Sequence, residues 1–245
     1  MLSARNIHKS FGDKNILNGV DLDIAAGTIT CVIGPSGTGK TTLLRALALL
    51  DYADQGSVNV DGTEYHFEQG KCSPPITREN QPWPDVTTVF QSLFLWPHLT
   101  LRENILLPAR NSNPKAEADI EGLINFFEMG HFIDSYPNEA SIGQRQRVAL
   151  ARALILNPKY LFLDEITSAL DIEQTAKILT KLTQLKDRNI GTFLITHHIS
   201  FAKKAADQVI FMSDGVVAEA GSPDILVSPK TERLQKFLSM VEIAH

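Results

Sequence analysis

The segment Gly34-Pro35-Ser36-Gly37-Thr38-Gly39-Lys40-Thr41 constrains this chain more than any other part of it. It has the phosphate-loop spacing G-x-x-x-x-G-K-[ST]. The apolar, β-rich run at 28–33 leads directly into it, and the helical pattern at 41–50 leaves it. Strand, glycine loop, helix is the order in which a chain wraps phosphates, because the glycines let successive N–H groups turn inward and the helix adds its positive N-terminal end. Lys40 is placed to reach the β- and γ-phosphates of a nucleotide, and the Thr41 hydroxyl to coordinate Mg²⁺. The Lys40 side chain is expected to be exposed while the loop is empty.

A second acidic strand fits the same chemistry. Leu161-Phe162-Leu163-Asp164-Glu165 is apolar up to two carboxylates. On a parallel strand next to the loop, Asp164 would hold Mg²⁺ directly or through water, and Glu165 would take a proton from the attacking water.

The rest of the chain supports an α/β architecture. Val20, Leu22 and Ile24 alternate with Asp21 and Asp23, and Val58 and Val60 run into the turn Asp61-Gly62, so antiparallel strands are expected near the N-terminus. Residues 65–84 carry Pro74-Pro75 and Pro82-Trp83-Pro84 and read as a loop. Residues 101–157 turn helical; Ile120, Leu123, Ile124 and Phe127 share one face of a helix beginning near Pro114. Strands at 160–163, 192–196 and 209–211 then alternate with helices at 171–186 and 199–206, the signature of a mostly parallel sheet. A hairpin at Ser213-Asp214-Gly215 and a helix at 231–241 close the chain.

Composition narrows the function. Apolar residues make up 43% and charged residues 21%, which excludes a disordered or fibrous chain. A net charge of -5 argues against nucleic acid as a partner. No apolar stretch approaches the ~20 residues of a membrane span, and no leader pattern opens the sequence. Cys31 and Cys72 lack metal-ligand spacing and are expected to be free thiols in a reducing compartment.

With these motifs in place, the chain resembles the ATP-binding subunit of ABC transporters over nearly its whole length. Ala140-Ser141-Ile142-Gly143-Gln144 stands where that family carries Leu-Ser-Gly-Gly-Gln, and Arg145-Gln146-Arg147-Val148 follows as is typical. Ser168-Ala169-Leu170-Asp171 resembles the D-loop, His197 the switch histidine that contacts the γ-phosphate, Gln91 the Q-loop glutamine that senses Mg²⁺ and the membrane partner, and Phe11 the aromatic that stacks on adenine. Taken singly, each has a plainer reading: Ser141 as a helix N-cap, His197 as a structural histidine, Phe11 as a core or hydrophobic surface residue, Gln91 as a solvated loop residue. Their shared order along the chain is what the resemblance explains.

The resemblance implies a P-loop NTPase fold: a RecA-like, mostly parallel core, an N-terminal antiparallel β subdomain, and a helical subdomain at about 92–157 within a single ATPase domain spanning 1–245. It implies Glu165, His197 and Gln91 as the catalytic set. It implies Phe11, Gly34, Pro35, Ser36, Gly37, Thr38, Gly39, Lys40, Thr41, Thr42, Ser141, Gly143, Gln144 and Asp171 as ATP-binding residues, with Thr41, Gln91 and Asp164 around Mg²⁺. Two subunits, most simply identical, would face each other head to tail, so that Ser141 and nearby amides cap the γ-phosphate held by Lys40 of the other. The partners implied are transmembrane permease subunits and, indirectly, a periplasmic solute-binding protein, with the chain peripheral on the cytoplasmic face of the cell membrane.

Leu93-Phe94-Leu95-Trp96-Pro97-His98-Leu99-Thr100 and the close from Gly221-Ser222-Pro223 to Phe237-Leu238 are similar to importers of polar amino acids, whereas 65–84 departs from them. Two alternatives stay open: the ATPase of an exporter or lipid transporter, and a weakly hydrolysing regulatory subunit, suggested by Ala140 and Ile142. A β-branched residue in a left-handed conformation at 142 would strain the segment. The expectation is instead that the Ile142 side chain points into the helical subdomain, and that a carboxylate placed at Gly143 would face the opposite phosphate.

Overall fold

The computed structural model describes residues 1–168 and 170–243, so Ala169 of the D-loop motif lies outside the described residues. The elements are β1 (Leu2–Phe11), β2 (Lys14–Ile24), β3 (Ile29–Ile33), α1 (Lys40–Leu47), β4 (Gln55–Val60), β5 (Thr63–Glu68), β6 (Lys71–Ser73) and β7 (Val86–Val89), then α2 (Leu101–Leu106), α3 (Ala116–Phe126), α4 (Ile142–Leu154) and β8 (Tyr160–Asp164), and finally α5 (Ile172–Gln184), β9 (Gly191–Ile195), α6 (Ile199–Ala205), β10 (Gln208–Ser213), β11 (Val216–Gly221) and α7 (Glu232–Ile243).

Two sheets organise the chain. An antiparallel sheet runs β2-β1-β4-β5-β6, and a second runs β11-β10-β3-β9-β8-β7, parallel except where β11 pairs with β10. The continuous apolar strands follow from burial on both faces. Ile29, Cys31 and Ile33 of β3 and Leu161 and Leu163 of β8 pack into a core shared with α2, α3, α4 and α5. Their neighbours Val32, Tyr160 and Phe162 pack into the other core, with α1 and the antiparallel sheet. Successive side chains on a strand point to opposite faces, so a strand covered twice has no place for an alternating polar residue. Each fully buried Leu, Ile or Phe contributes about 1.5–3 kcal/mol, which makes this seam the main source of cohesion.

The stretch expected as a loop at 65–84 begins as a hairpin. Tyr65 and Phe67 of β5 are buried while Glu64, His66 and Glu68 are exposed, a period of two that the following prolines obscure. Gln69 and Gly70 both have positive φ and close the turn into β6. Beyond β6 the chain is irregular and holds itself by side chains: Asn80 Oδ1 accepts from Thr77 N at 2.6 Å and Thr77 Oγ1 at 3.1 Å, and the Tyr65 hydroxyl donates to the Asn80 carbonyl. Between β7 and β8 lie α2, α3 and α4, within residues 92–157. Both cysteines are free, and Cys31 is buried. Among the described residues no helix is long and apolar enough to cross a membrane.

Candidate nucleotide site

Parallel register brings the sequence-predicted residues to one edge of the sheet. Ile195 of β9 pairs with Val32 of β3 on one side and with Asp164 of β8 on the other, and Val89 of β7 pairs with Leu163. The loop after β3, the carboxylates at the end of β8, His197 after β9 and Gln91 after β7 therefore leave the sheet at one level. Ligands of open α/β sheets bind at this carboxyl edge.

Within the loop, Gly34, Gly37 and Gly39 have φ of +148°, +78° and +92°, a region that side-chain-bearing residues rarely adopt. A Cβ at Gly34 would sit 2.2 Å from the Met212 carbonyl oxygen of β10, so the backbone passes directly over that strand. Pro35, Ser36 and Gly37 are exposed, Thr38 is half-buried and donates from Oγ1 to the Pro35 carbonyl at 2.9 Å, and Thr42 is half-buried on α1.

Lys40 differs from expectation. Only 6% of it is exposed, and its Nζ donates to the Gly34 carbonyl at 2.9 Å and the Pro35 carbonyl at 2.8 Å. The loop folds back around its own ammonium, whose charge is met by carbonyl oxygens that the glycine turns direct inward. Burial lowers the Lys40 pKa from its ordinary value, against the opposing pull of Glu165 and Asp164. The same group that would hold phosphates is thus already desolvated.

Beside it, the Thr41 hydroxyl donates to Asp164 Oδ1 at 3.2 Å. Burial raises the Asp164 carboxyl above its usual range; the Thr41 hydroxyl opposes this and the neighbouring Glu165 charge adds to it. A hydroxyl and a carboxylate in contact form a set of hard oxygen donors suited to Mg²⁺, which is commonly held by one or two protein ligands together with substrate phosphates.

Glu165 has φ of +48°, a left-handed conformation that costs a non-glycine residue of order 1–3 kcal/mol. Its N–H is held by the Ile195 carbonyl at 3.1 Å, and its Oε1 accepts from His197 Nε2 at 2.7 Å. The turn after β8 therefore sends Asp164 toward α1 and Glu165 toward His197, separating two adjacent carboxylates. Gln91 reaches this edge as well: its Nε2 donates to Ser168 Oγ at 3.1 Å. Ser168 opens the segment that resembles the D-loop, but its contact with Gln91, 77 positions away in sequence, leaves no local signal. Arg45 was also missed; it lies 5.5 Å over the Phe90 ring, next to Gln91, and is paired with Asp51. Phe11 is 57% exposed at the end of β1, with Lys9 Nζ 5.6 Å from its ring.

The signature segment is a capped helix start. Ser141 Oγ accepts from Gln144 N at 3.3 Å, and Gln144 Oε1 accepts from Ser141 N at 2.8 Å, a reciprocal capping box that opens α4. Asp171 caps α5 one way only, its carboxylate accepting from Gln174 N at 2.8 Å. Ile142 is the first residue of α4, is absent from the positive-φ residues and is 40% exposed. It carries no left-handed strain, and its side chain lies largely at the surface instead of entering the helical layer, because the face of the first turn that meets the neighbouring helix is taken by Gly143. Gly143 also departs from expectation. A Cβ there would meet Gln174 Oε1 at 2.0 Å and Leu170 Cδ2 at 3.3 Å, so a side chain at 143 would be aimed at its own chain.

The ABC transporter family model matches residues 17–168, from β2 through Ser168. The chain belongs to the ABC transporter family. The arginine transport ATP-binding protein ArgV of Corynebacterium glutamicum is 39% identical over 98% of this chain and 97% of its own length. The glutamine transport ATP-binding protein GlnQ of Escherichia coli is 38% identical over 98% of this chain and all of its own length. Among solved structures, a dimeric ATP-binding cassette in a post-hydrolysis state bound to ADP and Pi matches with a TM-score of 0.78 at 28% identity, over 91% of this chain and 99% of that one. The P-loop NTPase fold and the assignment as an ATPase of this family, read from the sequence, agree with these matches.

Proposed function

We propose that the chain hydrolyses Mg-ATP to drive a separate membrane permease that imports polar amino acids, working as a head-to-tail pair of cassettes. The observation that carries the hydrolytic part is the divergence at the end of β8, with Asp164 on Thr41 and Glu165 on His197. Lys40 would release the Gly34 and Pro35 carbonyls and turn its ammonium to the β- and γ-phosphates. Glu165 would accept a proton from the water whose oxygen attacks the γ-phosphorus as the bond to the β-phosphate oxygen breaks. The His197 Nε2–H holds that carboxylate in place. Thr41, Asp164 and Gln91 would hold Mg²⁺, which when bound would neutralise charge on the phosphates. Phe11, exposed and flat, is suited to stack on adenine.

The amino-acid assignment is supported by relatives named for arginine and glutamine transport that match over almost their full length. A permease needs a surface, and a groove of about 450 Å³ beside Gln91 offers one, walled by Leu50, Trp83, Phe90, Trp96, Pro108 and Leu156. Arg152 crosses it, 5.2 Å from the Trp96 ring and bonded to the Leu93 and Phe94 carbonyls. Deleting the gene should abolish uptake of a labelled polar amino acid, and the wild-type chain but not Glu165→Gln should restore it. Normal uptake of every polar amino acid in the deletion strain would refute the importer assignment.

A further inference from the structure

Gly143 is a glycine whose backbone does not need one. It lies in the first turn of α4 and is absent from the positive-φ glycines, so any residue could adopt its conformation. What it lacks is a side chain, and that space is taken by Gln174 of α5: the amide oxygen lies 2.0 Å and Cδ 3.0 Å from where a Cβ would be. The two residues belong to different layers. Helix α4 is part of the helices inserted between β7 and β8, whereas α5 follows the acidic strand.

We propose that Gln174 is a positioning residue whose side chain, seated on Gly143, registers the signature segment against the start of α5 at Asp171. Three features isolate this contact. Gln174 is fixed at its backbone by the Asp171 cap, and Gly143 lies within the Ser141–Gln144 capping box, so the seat joins two rigid helix starts. Directly beside it is a cavity of about 230 Å³ bordered by Gly143, Arg147, Asp171, Gln174 and Ile178, so packing is interrupted next to the seat. Apolar packing resumes deeper, where Ile178, Leu179 and Leu182 of α5 join Val148 and Leu150 of α4 in the shared core; at the exposed end Lys181 lies 3.9 Å from Glu128 and 4.8 Å from the Phe126 ring. Because the far end of Gln174 is flexible, Ala at 143 would push the amide off its seat without displacing backbone. Removing either partner should therefore have the same consequence.

This inference rests on the proposed head-to-tail dimer, which supplies its readout. In a Glu165→Gln background, the ATP concentration giving half-maximal dimer is measured by analytical ultracentrifugation, with monomer affinity for a fluorescent ATP analogue measured at high dilution. Gln174→Ala or Gln174→Ser should raise the midpoint about tenfold while leaving monomer affinity unchanged, and Gln174→Met, which keeps the length, should restore it. Gly143→Ala alone should raise the midpoint by about the same factor as Gln174→Ala, and the double variant should be no worse than about twofold beyond either. A midpoint unmoved in both Gln174→Ala and Gln174→Ser would overturn the inference, as would independent effects that multiply to about a hundredfold. Failure of Glu165→Gln itself to dimerise with ATP would overturn the dimer reading and the inference together.

Discussion

Replacing Lys40 by alanine should weaken the empty protein as well as its hold on nucleotide. In the empty loop the ammonium is buried and bonded to two carbonyls. After substitution the Pro35 carbonyl keeps the Thr38 hydroxyl as a donor, but the buried Gly34 carbonyl loses its Lys40 bond. Leaving a buried acceptor unmade costs about 1–3 kcal/mol, and relief of the ammonium's own burial returns part of that. A net loss of about 1–2 kcal/mol corresponds to a fall of about 2–8 °C in Tm for a chain of this size. Calorimetric melting of the nucleotide-free protein measures it, and titration calorimetry with Mg-ATP should show binding severely reduced. Lys40→Met, which keeps the stem and removes the donors, should melt near the alanine variant. The pH dependence has a definite sign. A lysine whose folded pKa lies below its unfolded value leaves the native state short of protons between the two, so wild-type stability rises with pH across that window. Neither variant should show that rise, and wild-type affinity for nucleotide should fall over the same window as the ammonium is lost. An unchanged Tm in Lys40→Ala would refute the structural role, and unchanged nucleotide affinity would refute the loop assignment.

Glu219 is buried on β11 and accepts from Lys230 N, Thr231 N and Thr231 Oγ1, fixing the start of α7. Burial pushes its carboxyl up, but these donors outweigh burial and leave the pKa below its ordinary value. Glu219→Gln should lower stability by about 1–3 kcal/mol at neutral pH. The difference should shrink in urea titrations as pH falls through the folded pKa, because the ionised form supplies the advantage and is lost in acid. Ile142→Gly replaces a half-exposed, unstrained first-turn residue, so ATP turnover of the assembled transporter should shift only a few-fold. A tenfold or greater rise on that substitution would favour the regulatory-subunit alternative. Native protein should show one titratable thiol to a colorimetric reagent, Cys72, reacting more slowly than free cysteine because burial raises its pKa, while Cys31 is fully buried with its pKa raised to about 12.

How much was legible in the sequence follows from what each feature depends on. The strand, glycine loop and helix from Ile29 to Leu47, and the acidic end of β8, are local patterns and appear where they were expected. The antiparallel and parallel sheets were readable because period-two and continuous apolar runs record burial on one face or two. The β5–β6 hairpin was hidden because Pro74, Pro75, Pro82 and Pro84 dominate the composition of a window whose first residues alternate cleanly. Burial of Lys40 could not be read, since it depends on carbonyl directions set by positive φ at Gly34 and Gly39. The orientation of Ile142 and Gly143 was misjudged for a related reason. Family spacing names the segment, but the direction of a first-turn side chain depends on the neighbouring helix, here Gln174 and Leu170 of a segment distant in sequence.

The central claim is that ATP is cleaved at the end of β8, with Glu165 as the base. Its most direct test is the Glu165→Gln variant assayed for Mg-ATP binding and steady-state turnover side by side. Glutamine preserves the shape of the side chain but cannot take the proton, so affinity should stay near wild type while hydrolysis slows by about 10²-fold or more, the usual contribution of a positioned base. ATP turnover at the wild-type rate by that variant would contradict the account.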